Sequence, residues 1–412
     1  MRATSVLRTL LAFHRTRVVA LEFTEEALIA DVVPDWQLPR CSGCGKKRRS
    51  VYDSRVRVWR HLDLGGIKTL LRYRIRRVSC KRCGVVVETV PWAESGSRFT
   101  LPMEGHVAYH AQRTDKTTVS TLMRVAWRTV GQIIKRYVRR ERKEMGDPLE
   151  NLRTIGVDEI SYRKHHEYIT TVVDHERGIV VWAGKGKSAE TLKGFFEMLG
   201  EERAKKIESV TIDMSSAYIK AVRESVPHAT LIFDRFHVQR LVHDALDEVR
   251  RDEVRAAAHD EKAGLKKTRW ALQKNPWNLT DLEKAKLADL EAKNLPIYRA
   301  YLLKESLLEI LDRRQVNVAA RKLDEWVDWA QSSGMPPFVR AANTIQRHRE
   351  GLLAYVRTRL NNGRVEGLNG KARVITRRAF GFHSASSLIA MLFLCCGGIE
   401  AHPAHVTPYW TH

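Results

Sequence analysis

The hydrophobic pattern changes character several times along the chain. β-branched runs at 16–33, 68–78 and 85–90 predict strands, so residues 1–100 are expected to form a small strand-rich unit. From 104 to 145 apolar residues recur at spacings of three and four, which is typical of helices. Gly146, Asp147 and Pro148 then break this pattern and predict a domain boundary.

The second half of the chain predicts a sheet followed by helices. Helical patterns at 189–199 and 218–225 separate the later strands, and residues 239–360 are helical in pattern almost throughout. The order of three strands, a helix, a strand, a helix and a strand predicts a mixed α/β sheet. The apolar runs that predict its strands are 154–157, 168–173, 178–182, 209–212 and 229–233.

Composition and charge point to a nucleic-acid partner. The 412 residues include 71 Lys and Arg against 48 Asp and Glu, a formal net charge of +23 that a polyanion would neutralise. A membrane is a weaker alternative, because the apolar run 388–396 is far shorter than the roughly 20 residues needed to cross a bilayer. His14, Arg15 and Arg17 interrupt the N-terminal apolar run, so no export signal is predicted and the cytoplasm is the expected location.

Two C-x-x-C pairs predict a metal site. Cys41 and Cys44 form the first pair, Cys80 and Cys83 form the second, and a Gly follows each pair. Four thiolates are the tetrahedral ligand set that structural Zn²⁺ prefers. The alternative is a set of redox-active or merely buried cysteines, which the duplication of the motif disfavours.

The segment 116–142 predicts a helix-turn-helix, with one helix at 119–126 and a recognition helix at 129–142. Side chains at the start of the recognition helix are expected to contact bases, namely Trp127, Arg128, Thr129 and Gln132. Cationic residues further along are expected to contact phosphates, namely Lys135, Arg136, Arg139 and Arg140. The alternative for each of these residues is a solvated basic helix that covers a core.

Four acidic residues stand just after strand-like runs or at loop-to-helix junctions: Asp158, Asp213, Asp234 and Glu366. Several carboxylates that converge in this way form a binding site for Mg²⁺, and two-metal phosphoryl transfer needs such a site. Each Asp alone is more often a turn former or a helix cap, and Asp213 is expected to cap a helix. Glu159 is a rival to Asp158 for the first metal position.

These motifs together resemble the ISL-three group of bacterial insertion-sequence transposases. The resemblance rests on the paired cysteines and on the segments IGVDEIS, VTIDMSSAYIKAV, FDRFHV and RVEGLNGKARVITRRAFGF. It implies a DDE catalytic triad of Asp158, Asp213 and Glu366, binding Mg²⁺ or Mn²⁺, on an RNase H-like α/β fold. It also implies that an all-helical insertion interrupts the mixed sheet before the helix that carries Glu366.

The expected domain order follows from this resemblance and from the residue pattern. The predicted units are a zinc-binding domain at 1–100, a helix-turn-helix at 101–147, the first part of the RNase H-like core at 148–238, the helical insertion at 239–360 and the last part of the core at 361–412.

Two further groups of residues accompany the triad. Asp234 and His237 are similar to a (Cys/Asp)-x-x-His motif of related transposases, so a metal or phosphate contact and a purely structural hydrogen bond are both open for them. Amide and cationic side chains after Glu366 are expected to bind the phosphates that flank the cut, namely Asn369, Lys371, Arg373, Arg377 and Arg378.

The implied activity is hydrolysis at the ends of a mobile DNA element, followed by attack of the exposed 3′-hydroxyl groups on target DNA. The zinc domain and helix-turn-helix are expected to bind the terminal inverted repeats of double-stranded DNA, within a homodimer or larger assembly that brings two ends together. Two alternatives are a non-catalytic zinc regulator derived from a transposase and an RNase H-like nuclease without strand transfer.

Overall fold

The computed structural model describes residues 15–163, 167–257, 262, 265, 268–293, 295–360 and 362–403. The first part of the N-terminal run considered for an export signal, including His14, therefore lies outside the described residues. The chain divides into two compact units. Unit 1 comprises residues 1–146, 378–380 and 386–412, and unit 2 comprises residues 147–377 and 381–385. Within the described residues, none of the helices combines the length and apolar character needed to cross a bilayer.

Unit 1 contains a five-stranded sheet with the order β1-β2-β4-β3, in which β5 also pairs with β4. Strands β2 and β4 are parallel and the other pairs are antiparallel. Trp59, Leu71 and Trp92 form much of its buried core. The strands are β1 (Thr16–Phe23), β2 (Ala27–Pro34), β3 (Val51–Arg60), β4 (Lys68–Cys80) and β5 (Gly84–Val87).

Three helices of unit 1 include the helix-turn-helix: α1 (Leu101–Arg113), α2 (Lys116–Leu122) and α3 (Trp127–Glu144). The two helices of the motif begin earlier than the predicted 119 and 129. For α2 the reason is a cap, because the Asp115 carboxylate accepts hydrogen bonds from the N–H groups of Thr117 and Thr118, both at 2.9 Å.

The C-terminal helix α15 (Ala385–Cys396) joins unit 1 from Ser386 onward, whereas the sequence placed it in the last part of the catalytic core. The Gln112 amide donates hydrogen bonds to the carbonyls of Leu394, at 2.7 Å, and Ile399, at 2.8 Å. The Arg142 guanidinium also lies 3.8 Å from the ring centre of Phe393. Leu388, Leu392 and Leu394 of this helix are buried, and the contacts with Gln112 and Arg142 are long-range ones that the sequence of one apolar helix does not specify.

Unit 2 contains the predicted mixed sheet, with the order β10-β9-β6-β7-β8. Strands β6, β7 and β8 are antiparallel neighbours, while β6, β9 and β10 are parallel. Parallel strands end at the same edge of a sheet, so residues at the ends of β9 and β10 meet the middle of β6 there. The strands are β6 (Thr154–Arg163), β7 (Glu167–Asp174), β8 (Ile179–Lys185), β9 (Ser209–Ile212) and β10 (Thr230–Phe233), and the helices between them are α4 (Ala189–Leu199), α5 (Glu201–Ala204) and α6 (Ser216–Ser225).

A block of helices follows β10 and shares one continuous apolar core with the sheet. Gly351 shows how closely they pack, because a Cβ atom there would lie 2.3 Å from Cδ2 of Phe233 in β10. The helices are α7 (Arg235–Ala256), α8 (Arg269–Gln273), α9 (Asp281–Ala292), α10 (Pro296–Asp312), α11 (Val316–Gln331), α12 (Pro336–Arg347), α13 (Arg349–Thr358) and α14 (Gly363–Arg378), with a short 3-10 turn at Pro276–Asn278.

Candidate functional site

Three aspartates converge at one edge of the unit 2 sheet. Asp213 follows β9 and Asp234 follows β10, as predicted, and Asp158 interacts electrostatically with both. Asp158 lies inside β6, opposite Thr171 of β7, and not after the strand. The sequence prediction of its position was wrong because the β6–β7 hairpin continues through polar residues beyond the apolar run. The rival Glu159 is also near Asp213 and Asp158.

Helix α14 brings the fourth carboxylate to this edge. The Asn369 side-chain amide donates a hydrogen bond to the Asp158 carboxylate. Glu366 precedes Asn369 in α14, is exposed, and interacts electrostatically with Asp234 and His237. The helix begins where the Glu366 N–H donates to the carbonyl of Asn362, at 2.7 Å.

Close packing of buried residues fixes the start of α14 against β6. A Cβ atom at Gly156 would lie 2.5 Å from Cγ2 of Val365 and 2.8 Å from Nε2 of His175. The Thr211 hydroxyl donates to Oδ1 of Asn362, and His175 Nε2 lies 2.6 Å from the same hydroxyl. The sequence analysis missed these residues. Only Asn362 carried a signal, because Asn before a helical pattern is a typical cap.

Burial and mutual repulsion shift the protonation of the cluster. Burial, aided by repulsion from Asp213 and Asp234, raises the pKa of Asp158 to about 6. Burial also raises the pKa values of Glu159 and Asp213, and partial desolvation beside the cluster, with repulsion from Asp234, raises that of the largely exposed Glu366. Carboxylates held together at this cost in electrostatic energy are suited to a divalent cation, which would relieve the repulsion.

His237 belongs to the same cluster. Its Nδ1 lies 3.1 Å from Oδ2 of Asp234, and this hydrogen bond raises the pKa of His237. Asp213 does not cap α6, contrary to prediction: Ser215 is the N-cap, and the Asp213 carboxylate accepts from the Ser215 N–H at 3.0 Å. The Asp213 side chain is therefore held by the loop that follows it, at the edge where the other carboxylates lie.

The cations after Glu366 fall into two groups. Lys371, Arg373 and Arg377 are exposed along α14, and Arg373 is close enough to Glu366 to influence its charge. Arg378 instead donates to the carbonyl of Ala111 at 2.9 Å, within unit 1. The first group is available to a ligand, whereas Arg378 makes a structural contact.

The four predicted cysteines form one cluster in unit 1. One sulfur atom from each of Cys41, Cys44, Cys80 and Cys83 lies within 4.8 Å of the others, and among the described residues this is the one group of His, Cys, Asp or Glu side chains compact enough to hold a metal ion.

The Arg48 guanidinium adds a cationic contact to the cysteine cluster. It donates to Sγ of Cys80 at 2.9 Å and to Sγ of Cys44 at 3.5 Å. Burial opposes ionisation of Cys80, but Arg48 and backbone N–H groups outweigh it and lower the pKa of Cys80 to about 6. Burial and the neighbouring thiols instead raise the pKa of Cys83 to about 12, so the compact geometry of the four sulfur atoms is what fits a zinc ion.

The predicted recognition helix α3 has two basic faces with different surroundings. Arg136 donates to the buried Glu104 carboxylate at 2.8 Å, and Arg140 pairs with the same carboxylate at 3.1 Å. Along the other face Arg128, Gln132, Lys135 and Arg139 are exposed at helical spacing. Trp127 is 42% exposed, and Nζ of Lys116 lies 3.2 Å from its ring centre, while Thr129 is half-buried.

Comparison with known proteins assigns each part of the chain. A family model described as a transposase matches residues 155–392. A second, described as the helix-turn-helix domain of transposase family ISL3, matches 88–138, and a third, described as the zinc-finger of transposase IS204/IS1001/IS1096/IS1165, matches 37–83.

Two transposases are similar over nearly the whole chain. The transposase for insertion sequence element IS1557 of Mycobacterium tuberculosis is 39% identical over 97% of this chain and 96% of its own length. The transposase for insertion sequence element IS1001 of Bordetella parapertussis is 30% identical over 85% of this chain and 86% of its own length.

Proposed function

This chain belongs to the ISL3 family of insertion-sequence transposases, and on that premise we propose that it cuts and joins DNA with a DDE triad of Asp158, Asp213 and Glu366. The observation that carries the proposal is the hydrogen bond from Asn369 to Asp158, because it holds the helix of Glu366 at the strand edge where the two aspartates lie. Glu366 in turn interacts electrostatically with Asp234, which interacts with Asp158 and Asp213, and this supports one shared site for the three carboxylates.

Carboxylate oxygens are the ligands that Mg²⁺ or Mn²⁺ prefers, and the three triad carboxylates would hold such a cation by drawing closer together than they lie here, since among the described residues the four cysteines are the only group of three or more potential metal ligands within 4.8 Å of one another. A bound divalent cation at such a site supplies activation of the attacking oxygen and stabilisation of the leaving oxygen. Asn369 orients the Asp158 carboxylate for this role. His237, hydrogen-bonded to Asp234, is placed to orient a carboxylate or to donate to a phosphate oxygen.

The exposed cations of α14 bind the DNA beside the cut. Arg373 and Arg377 lie on the same face of α14 as Glu366, and Lys371 is exposed nearby. With the backbone held, water attacks the phosphodiester at the end of the element and leaves a 3′-hydroxyl group. That hydroxyl group then attacks a phosphodiester of the target DNA, without a covalent enzyme intermediate.

Unit 1 recognises the terminal inverted repeats. The exposed face of α3, with Arg128, Gln132, Lys135 and Arg139, enters the major groove, and Trp127 and Thr129 stand at its first turn. The four cysteines bind zinc and thereby fix the fold of the strand-rich part. Because two element ends must be joined, the protein acts on DNA as a homodimer or larger assembly, in the cytoplasm.

The test is cleavage and strand transfer on a duplex that carries the element's own end, in Mg²⁺ or Mn²⁺. Isosteric variants Asp158→Asn, Asp213→Asn and Glu366→Gln should lose both steps and keep wild-type affinity for the end. Asp244→Asn is the matched control, because Asp244 is an exposed carboxylate on α7 outside the cluster.

Other outcomes would identify another function. A wild-type protein that binds the end and never cuts it would be a regulator. Cleavage of branched DNA without joining would indicate a nuclease. Normal cleavage by the three variants would place the active site elsewhere.

A further inference from the structure

A cleft of about 1050 Å³ opens in unit 2 beside two of the clustered carboxylates. Asp234 and Glu366 line it, together with residues of the helical block from the 3-10 turn Pro276–Asn278, α10 and α11. The cleft therefore joins the sheet edge to the helical block within one unit.

Three exposed aromatic side chains line this cleft. Trp277 is 77% exposed, Phe236 is 53% exposed and Trp329 is 42% exposed. Exposed aromatic side chains in one cleft form an apolar surface of the kind that marks binding sites. Their flat faces are suited to stacking with another planar group. Phe236 also connects this surface to the cluster, because its ring lies 5.8 Å from that of His237, the partner of Asp234.

The side chains that the helical block adds to the cleft are mostly acidic. Glu305, Glu309 and Asp312 line it together with Asp234 and Glu366. Arg235 is the one cation among the described lining residues, and Asp312 accepts a hydrogen bond from it at 2.8 Å. Away from the cation site of the triad, Glu305, Glu309 and Asp312 therefore disfavour a phosphate, whereas carboxylates can accept hydrogen bonds from the exocyclic amino groups of nucleobases.

We propose that this cleft holds a nucleobase that has left the DNA stack next to the cut, sandwiched against Trp277 and Trp329 with its edge toward the carboxylates. The proposal rests on the DNA-cutting function proposed above. Bases stack on aromatic side chains with little regard to sequence, and unstacking a base beside the cut opens the duplex at the phosphate to be attacked. The exposed cations of α14 hold phosphates, and the acidic cleft holds the base.

The test uses the full-length protein and duplexes that carry the element's own end. 2-Aminopurine replaces one base at a time across the boundary, and its fluorescence is recorded without added Mg²⁺ or Mn²⁺, so that the zinc is retained and binding is measured without cleavage. An abasic nucleotide is then placed at the responding position. The variants are Trp277→Ala, Trp277→Phe and Trp329→Ala, and Trp270→Ala is the matched control because Trp270 is 66% exposed in the same helical block and does not line the cleft.

We expect one position to change its fluorescence with wild type, Trp277→Phe and Trp270→Ala, and to lose most of that change with Trp277→Ala or Trp329→Ala. Removing the base should weaken DNA binding by wild type about tenfold. It should not weaken DNA binding by Trp277→Ala any further, since both changes remove the same stacking interaction between base and indole ring. Fully additive effects, or an equal response to Trp270→Ala, would overturn the proposal. If wild type cuts the end and this coupling is missing, only the base-binding cleft fails; if the coupling is present and wild type never cuts, only the proposed function fails.

Discussion

Gly156 in β6 and Val365 in α14 are packed so closely that a methyl group on Gly156 would lie 2.5 Å from Cγ2 of Val365. Val365 immediately precedes Glu366, and Gly156 is two residues before Asp158, so this contact sets how near the two carboxylates can come. Both residues are buried, and His175 and Thr211 close the other sides.

Gly156→Ala should therefore displace α14 and abolish cleavage, while affinity for the element end remains. We expect destabilisation of about 1–3 kcal/mol by denaturant unfolding, the usual cost of overpacking. Gly156→Ala combined with Val365→Ala should recover part of both losses. Gly194→Ala is the control, because a Cβ atom there meets nothing within 4 Å. Full activity of the Gly156→Ala protein would show that the contact between Gly156 and Val365 does not position Glu366.

Secondary structure in unit 2 could be predicted because its strands are buried. The run predicted at 168–173 became β7 (Glu167–Asp174), and 209–212 became β9 (Ser209–Ile212). Strand β3 was not predicted, because its first six residues are exposed and show neither an apolar run nor alternation.

The positions of Asp213 and Asp234 could be predicted, but that of Asp158 and the contacts that hold the aspartates could not. Asp213 and Asp234 follow apolar runs, which is a local signal. The pairing of Asn369 with Asp158 joins positions 211 residues apart, and the fit of Gly156 to Val365 depends on the docking of a helix. Such contacts follow from tertiary packing, which no local pattern encodes.

The two basic faces of α3 should respond differently to alanine. Arg128→Ala should weaken binding to the element end without changing Tm. The slope of the logarithm of the binding constant against the logarithm of salt concentration should become shallower by about one, the value for one lost phosphate contact. Arg136→Ala should lower stability by about 1.5–3 kcal/mol, because it removes a charge-assisted hydrogen bond to the buried Glu104 and leaves Arg140 to neutralise that carboxylate.

Fluorescence anisotropy at several salt concentrations and thermal unfolding distinguish these effects. Adding Glu104→Gln to Arg136→Ala should not restore Tm, because Arg140 still neutralises Glu104 in the single variant and loses that charged partner in the double variant. A lower affinity of the folded Arg136→Ala protein, with Tm unchanged, would instead make Arg136 a DNA contact.

Zinc retention should depend on Arg48. Its guanidinium contacts the sulfur atoms of Cys80 and Cys44, so it offsets the negative charge of four thiolates around the metal. Arg48→Gln should weaken zinc binding about tenfold, measured in the full chain by competition with a chromophoric chelator. Arg49→Gln is the control, because Arg49 is the exposed neighbour. Equal zinc affinity of the two variants would rule out a role for Arg48 at the metal.

Asp158→Asn should stabilise the protein without Mg²⁺ or Mn²⁺ at neutral pH, and the gain should fade in acid. Burial raises the pKa of Asp158 from 3.8 to about 6, so the folded wild type binds this proton more tightly than the unfolded chain. The stability that this proton contributes to the wild type is therefore fully present below the pKa of Asp158 in the unfolded chain. It is lost as the pH rises through the pKa of Asp158 in the folded protein. Asn carries no charge and escapes that loss.

Thermal unfolding in buffer without Mg²⁺ or Mn²⁺, with the zinc left in place, would reveal this difference. We expect the Tm advantage of Asp158→Asn to be largest above about pH 7 and to shrink as the pH falls from about 6 to about 4. Mg²⁺ should reverse the order at neutral pH, because only the carboxylate binds the cation well. Asp244→Asn, on the exposed face of α7, should show no such trend. An advantage that is constant across this pH range would mean that the substitution acts through packing and not through the charge of Asp158.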